Sequence, residues 1–427
     1  MTALTVSLPR VGVTASRRAL AAGALALFGL VDVLIFGLFA HKGDAAFALS
    51  LNGAKVAVPT IRVPAGPLAY ILGAATLAIA AARATVLESA VLRRLGIGAV
   101  LLFFVLSLLA WSDTGSWAHN IPVNVVTLLQ NTLAGSIPLI LGALAGCMGE
   151  RSGVINIAIE GQLLLGAFTA AIVTSAIGML WLGLVGGALG GALVGAVLAA
   201  FAIRYLVDQI VLGVVLNLLI SGLTGYLYDR LLVPEASAYN NAATFGPVKI
   251  PGLGDIPIIG PIFFDSTIFL YLTYAAVIAV QVGLFSTRWG LRVRAVGEHP
   301  TAADTVGIRV LGIRYRNLIL GGMLAGIGGA YLTIGSVGTF SKDMSSGLGY
   351  IALAAMIFGR WSPLGATAAA LLFGFTTALG SFLGSITVPI SPFLLAMAPY
   401  VATIIAVAGL VGRVRAPAAD GKPYLRA

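Results

Sequence analysis

The sequence predicts an all-α polytopic membrane protein of about 10–12 transmembrane helices, some broken or re-entrant, with N- and C-termini cytoplasmic. Three observations carry this reading. The 427 residues are 59% hydrophobic and only 9% charged, with a mean hydropathy of +1.03, more apolar than a water-facing surface permits. Apolar runs of spanning length recur along the chain. The segments between them differ in charge in the way the two sides of a bilayer require.

Arg10, Arg17 and Arg18 precede the first run, 19–40, which is too long for the apolar core of a signal peptide and reads as a retained span. Runs able to cross about 30 Å of hydrocarbon follow at 66–82, 95–111, 125–146, 154–177, 179–203, 210–228, 267–285, 318–334, 364–383 and 392–411. The run 347–359 is short for a full crossing and reads as spanning or re-entrant; Arg360 and Pro363 close it.

Charge sets the sidedness. Residues 287–316 hold Arg288, Arg292, Arg294, Arg309, Arg314 and Arg316 against Glu298 and Asp304, and the tail after Gly412 is also strongly basic. Both belong in the cytoplasm, with the Arg17/Arg18 end and the Arg93/Arg94 turn. The longest hydrophilic connection, 229–265, has Arg230 and Lys249 against Asp229, Glu235, Asp255 and Asp265, and belongs outside.

The net charge of +10 is spread in short arginine clusters facing anionic lipid, which argues against nucleic acid as a partner. The single Cys147 excludes an intrachain disulfide and thiolate metal clusters. His41, His119 and His299 lie between apolar runs, so intramembrane histidine chemistry, metal ligation and catalytic residues are not expected. No P-loop pattern occurs, so any nucleotide that drives this chain binds elsewhere.

Gly183, Gly187, Gly191 and Gly195 repeat every four residues, and Gly322, Gly326 and Ala330 form a second small-residue stripe; both read as helix packing. Polar and glycine residues interrupt the segment 149–162, where a broken helix near the bilayer centre would present Asn156 and Glu160 to a polar solute. The alternative is that Glu150 and Arg151 mark an interfacial turn and Glu160 pairs with a neighbouring helix. Asn217, Gln130 and Asn131 are further intramembrane candidates, although a lone Asn more often joins helices. Between Arg292 and Gly307, Pro300 suits a first helical turn and Gly307 its stop, predicting a short cytoplasmic helix. That helix is either a solvated turn at the headgroups or an element docking into a cytoplasmic partner, oriented by Arg294 or Glu298.

Four stretches, GERSGVINIAIEGQLLLGAF, QIVLGVVLNLLISGLT, RAVGEHPTAADTVGIRV and GLGYIALAAMIFGRWSPLGA, resemble permease subunits of ABC importers. The superfamily is that of branched-chain amino acid and simple-sugar permeases, nearest its nucleoside branch, which works with a basic membrane lipoprotein as receptor. The resemblance implies an ATP-driven importer of a small polar solute, nucleosides or purines or simple sugars, in the bacterial plasma membrane. It implies a cytoplasmic ABC ATPase that holds ATP and Mg, a second related permease subunit, and an extracytoplasmic substrate-binding lipoprotein. This chain itself would bind no cofactor. It divides the chain into a 1–120 extension of about three spans, a 121–412 permease core and a 413–427 basic tail.

Carried over onto this sequence, the family pattern implies that Arg294, Gly297, Glu298, Ala303 and Gly307 form the ATPase-coupling loop. It places Asn156, Glu160, Gln162, Asn217 and Asn131 at or near the solute pathway. Gln162 departs from the methionine usual after Glu-Gly in the nearest branch. A carrier driven by an ion gradient is the competing class, and its acidic site would be Asp32 or Glu160.

Overall fold

The computed structural model describes residues 11–39, 43–51, 58–85, 90–114, 122–386 and 415–425, with positions 388, 391, 394 and 397. The chain divides into two compact units, 1–127 with 381–395 and 128–380 with 396–427. In the first, α1 (Val11–Val31) ends in a wide π turn at Asp32–Gly37, and β1 (Asp44–Ala48) and β2 (Ile61–Pro64) lead into α2 (Ala65–Thr85). The helix α3 (Ala90–Asp113) and the two-residue β3 (Val123–Asn124) complete it. Strand β1 pairs antiparallel with β2, Phe47 opposite Ile61, and parallel with β3, Phe47 opposite Val123. Phe28 and Phe36 of α1 and its π turn meet Phe104 of α3 with ring centroids 5.0 and 5.6 Å apart. Arg93 and Arg94, expected in a turn, fall in the first turns of α3 instead, because helix-forming residues continue without interruption from Ala90.

The second unit is built from α4 (Val125–Arg151), whose first turn belongs to the first unit, then α5 (Ile159–Ile177), α6 (Leu180–Ala199) and α7 (Gln209–Leu227). A long connection carries α8 (Ala236–Tyr239), β4 (Pro247–Lys249), α9 (Ile259–Phe263) and β5 (Asp265–Thr267), β4 and β5 pairing antiparallel. Then come α10 (Ile268–Ser286), the short α11 (Arg288–Glu298) and α12 (Pro300–Thr305), α13 (Val310–Leu332), α14 (Leu348–Phe358) and α15 (Pro363–Ser385). Local chemistry places several ends. The Asp208 carboxylate caps α7 by accepting from Ile210 N–H and Val211 N–H, and Gly178, at φ +76°, closes α5.

Among the described residues nine helices are long and apolar enough to cross a bilayer, and Ala21–Gly37 and Leu348–Phe358 are shorter apolar helices. These account for every expected run except 392–411, which apart from positions 394 and 397 lies outside the described residues. The small-residue stripes face one another. A Cβ added at Gly326 on α13 would overlap the Gly187 carbonyl oxygen and stand 2.9 Å from Gly191 N on α6. Backbone therefore packs on backbone, where dispersion replaces the absent hydrophobic drive between helices in lipid.

Candidate functional site

The chain between α4 and α5 is not helical. Gly153, at φ +86°, turns it, and residues 154–156 form neither helix nor strand before α5 begins at Ile159. In hydrocarbon each freed backbone group needs a partner, and polar side chains supply them. Gln209 Oε1 accepts from Ile155 N–H at 2.8 Å. Asn217 does more: Oδ1 accepts from Gly161 N–H at 2.8 Å, and Nδ2 donates to the Ile157 carbonyl at 3.0 Å and to the Tyr350 hydroxyl at 3.2 Å. Asn156 and Gln162 are fully buried and form a reciprocal amide pair at 3.2 and 3.3 Å, bracing the interruption from within.

A second interrupted crossing meets the first. After α13 the chain returns without helix through residues 338–347, and α14 begins at Leu348. Its free N-terminal groups are capped by Glu160: Gly347 N–H donates to Oε1 at 2.9 Å, Gly349 N–H to Oε2 at 2.6 Å, and the Ser345 hydroxyl to Oε1 at 2.6 Å. The approach is so close that a Cβ on Gly349 would stand 2.5 Å from Glu160 Cα. Glu160 itself lies in the first turn of α5. One carboxylate thus sits between two helix N-termini, each carrying partial positive charge.

The depth of this junction follows from the other end of α14. Glu150 accepts from the Trp361 indole N–H at 2.5 Å, and Arg151 donates to the Trp361 and Arg360 carbonyls at 2.9 and 3.2 Å. These bonds tie the α4 terminus to the turn after α14. An eleven-residue helix is about 16 Å long, so Glu160 lies roughly half a bilayer above that turn. Asn131 lies towards the other end of α4 from Arg151. It is exposed, and twenty residues of α4, about 30 Å, separate it from Arg151.

At the cytoplasmic end, α11 and α12 form a small amphipathic pair. The Thr287 hydroxyl caps α11 by accepting from Gly290 N–H at 3.1 Å, and Val293 and Val296 point inward. Gly297 is buried against the Arg151 carbonyl, and Ala303 against Val296 and Val310. The guanidinium groups of Arg294 and Arg151 stand 5.2 and 5.4 Å from the Phe285 ring. Glu298 is exposed, and Gly307, at φ +81°, closes the turn after α12 in open space.

Residues 128–411 match the family described as branched-chain amino acid transport system / permease component. The chain belongs to this permease family. The permease is 41% identical over 314 residues to the guanosine ABC transporter permease protein of Bacillus subtilis, covering 70% of this chain and 96% of the relative. It is 40% identical over 319 residues to the nucleoside ABC transporter permease protein of Lactococcus lactis, covering 71% and 99%. A putative glucose ABC transporter permease protein of Haloferax volcanii is 35% identical over 265 residues, covering 62% and 80%. No solved structure matches the permease. With these relatives and its apolar helices, it is a multi-pass protein of the bacterial plasma membrane. Membership displaces the ion-driven carrier as the account of Asp32 and Glu160; Asp32 is buried in the first unit, and Glu160 is engaged by three donors.

In the permease, Asn156, Glu160, Gln162 and Asn217 come together around the junction; among the described residues, none of their hydrogen bonds reaches Asn131. Tyr350 was missed by sequence reasoning. It is 47% exposed beside Asn217, and its signal was a lone aromatic in the first turn of a short apolar run. Thr301, Ala302 and Thr305 are the outward residues of α12, and Val306, just after it, is exposed as well; a helical wheel through the buried Ala303 finds the first three.

Proposed function

We propose that the permease carries nucleosides inward as one membrane subunit of an ATP-driven importer. The observation that carries this is the 41% identity to a guanosine permease across 96% of that relative. The junction is chemically suited to the task. The Tyr350 ring is accessible for stacking with a purine base, and its hydroxyl, the Ser221 hydroxyl and the Glu160 carboxylate offer a few hydrogen bonds. Alternating access then amounts to making and breaking the contact between two helix N-termini, biased by nucleotide hydrolysed elsewhere.

In this reading α11 and α12 dock onto a cytoplasmic ABC ATPase that holds ATP and Mg, with Glu298 and Val306 outermost. A second related permease and an extracytoplasmic substrate-binding lipoprotein complete the importer. Simple sugars are the second reading, favoured by the 35% identity to the glucose relative. A sugar requires a denser set of hydroxyl partners than the accessible face of this junction offers.

The test is uptake of labelled guanosine by cells expressing the importer, with unlabelled adenosine, ribose and glucose as competitors. Uptake blocked by adenosine, lost with the ATPase inactivated and resistant to an uncoupler supports the proposal. Uptake that follows glucose instead overturns the nucleoside assignment, and collapse with the uncoupler alone overturns the ATP-driven one.

A further inference from the structure

The family match ends at residue 411, yet residues 415–425 are ordered on the core of the second unit without forming helix or strand. Chain ends stay free unless something ties them down, because ordering them opposes conformational entropy. Four elements tie this one. At the end of α11, Ala418 N–H donates to Glu298 Oε2 at 3.2 Å and Ala419 N–H to the Gly297 carbonyl at 2.9 Å. On α12, Asp304 accepts from the Tyr424 hydroxyl at 2.8 Å, and the Tyr424 ring, 7% exposed, packs with Val296, Ala303 and Val310. From α13, the buried Arg314 donates to the Lys422 carbonyl at 3.1 Å.

The fourth tie is to the interrupted crossing. A Cβ on Gly153, at the turn into the break, would stand 3.2 Å from the Ala419 carbonyl oxygen, and the Asp420 carboxyl next to it lies in the field of Glu150 at the end of α4 and of Arg314, which attracts it. The Glu150 carbonyl also accepts from Gly153 N–H at 2.9 Å, at the turn into the break. Gly421, at φ +72°, lies directly on the break: a Cβ there would stand 2.7 Å from Ile155 Cδ1. The same short segment therefore grips both cytoplasmic helices and the foot of the crossing that ends at Glu160.

We propose that residues 415–425 are a strap that holds α11 and α12 against the foot of the α4–α5 break, so that force on those helices reaches the Glu160 junction. Tyr424 and Asp420 are its positioning residues. The role in coupling rests on the proposed docking of α11 and α12 to an ATPase.

The experiment uses the assembled importer with the full chain, a chain ending at residue 414, Tyr424→Ala and Tyr424→Phe. Two quantities are read: hydrogen exchange of amides 293–304, and guanosine moved per ATP hydrolysed. Shortening and Tyr424→Ala are expected to speed that exchange about tenfold and to lower guanosine moved per ATP about fivefold, with the ATPase still co-purifying. Tyr424→Phe keeps the packed ring, loses the bond to Asp304 and falls between; it also serves where the shortened chain does not fold. Unchanged exchange overturns the strap. Faster exchange with an unchanged ratio overturns its role in coupling. An ATPase that fails to co-purify with the unaltered chain sinks the docking assignment instead, and the exchange measurement, made on the permease alone, still decides the strap.

Discussion

The α6–α13 seam and the α5–α14 junction both press helix against helix inside the membrane, yet they are made of opposite materials. The seam has glycine on α6 or α13 where the backbones touch, against glycine, alanine or the Leu318 backbone, and its cohesion is dispersion across a large, dry contact. The junction has a carboxylate, a hydroxyl, an asparagine and two interrupted backbones, and its cohesion is a small set of directed hydrogen bonds. A dry seam has nothing to exchange with water or solute, so it holds one geometry. Directed bonds at helix N-termini can be handed from one partner to another. The pairing of a rigid seam with a polar junction on the same helix α5 is what a moving pathway needs: a fixed wall and a part that opens.

The largest effect expected from breaking this comparison is in the seam. Gly326→Leu forces a side chain into the α6 backbone, and we expect a loss of more than about 3 kcal/mol of stability, seen as failure to purify a monodisperse protein. A Gly326→Leu protein with an unshifted melting temperature would show that the seam is not the rigid wall. Next is Glu160→Ala, which leaves the Gly347 and Gly349 N–H groups without their acceptor and costs about 2–4 kcal/mol. Melting temperature and guanosine uptake should fall together, whereas Glu160→Gln, which keeps two acceptor contacts at most, should retain more of the former than of the latter. Asn217→Leu removes the partner of Gly161 N–H and of the Ile157 carbonyl, for about 1–3 kcal/mol, and should impair uptake with assembly preserved. Uptake at the unaltered rate would assign Asn217 to packing alone.

The foot of the junction adds a proton-linked term that the seam lacks. Burial pushes the Asp420 carboxyl up to about 7 from its ordinary 3.8, against the lowering influence of Glu150 on α4 and Arg314 on α13. Below the ordinary value both the docked and the free tail carry the proton. As pH rises from about 4 towards 7, the free tail gives it up first, so docking weakens across that window and is weakest above it. The tail should therefore become more susceptible to proteolysis between pH 5 and 7.5, after correction for protease activity, and Asp420→Asn should flatten the profile. A flat profile in the unaltered protein would remove Asp420 from the strap. The smallest effect is reserved for Asn131→Leu, exposed and about 30 Å along α4 from Arg151, where stability should move by less than about 0.5 kcal/mol and uptake hardly at all.

Much of the fold was legible in advance because hydropathy and charge act locally. Spans, the break after Arg151, the half-length run at 347–359 and the turn at Pro300 all declare themselves through neighbouring residues. The basic tail and the basic 287–316 segment, assigned to one side by charge alone, are in contact through Ala418, Ala419 and Tyr424. The candidate site was less legible. Asn156 and Gln162, expected to face a solute, are fully buried and face each other; a polar residue in an apolar run announces only that it needs a partner. Gly297 and Ala303 likewise lie in the expected loop but are turned inward, since composition does not reveal which side of a six-residue helix is covered.

What the sequence determined by itself is which runs are long and apolar enough to enter the bilayer and where a helix must stop, for each is a property of contiguous residues and their solvent. Only the tertiary structure decided that Glu160 caps a helix beginning 188 residues later, that Tyr350 stands beside Asn217, and that the tail returns to Glu298 and Ile155. The physical reason is that a helix end buried in hydrocarbon requires a polar partner but does not specify one. The choice is made by packing, which brings distant segments within bonding reach.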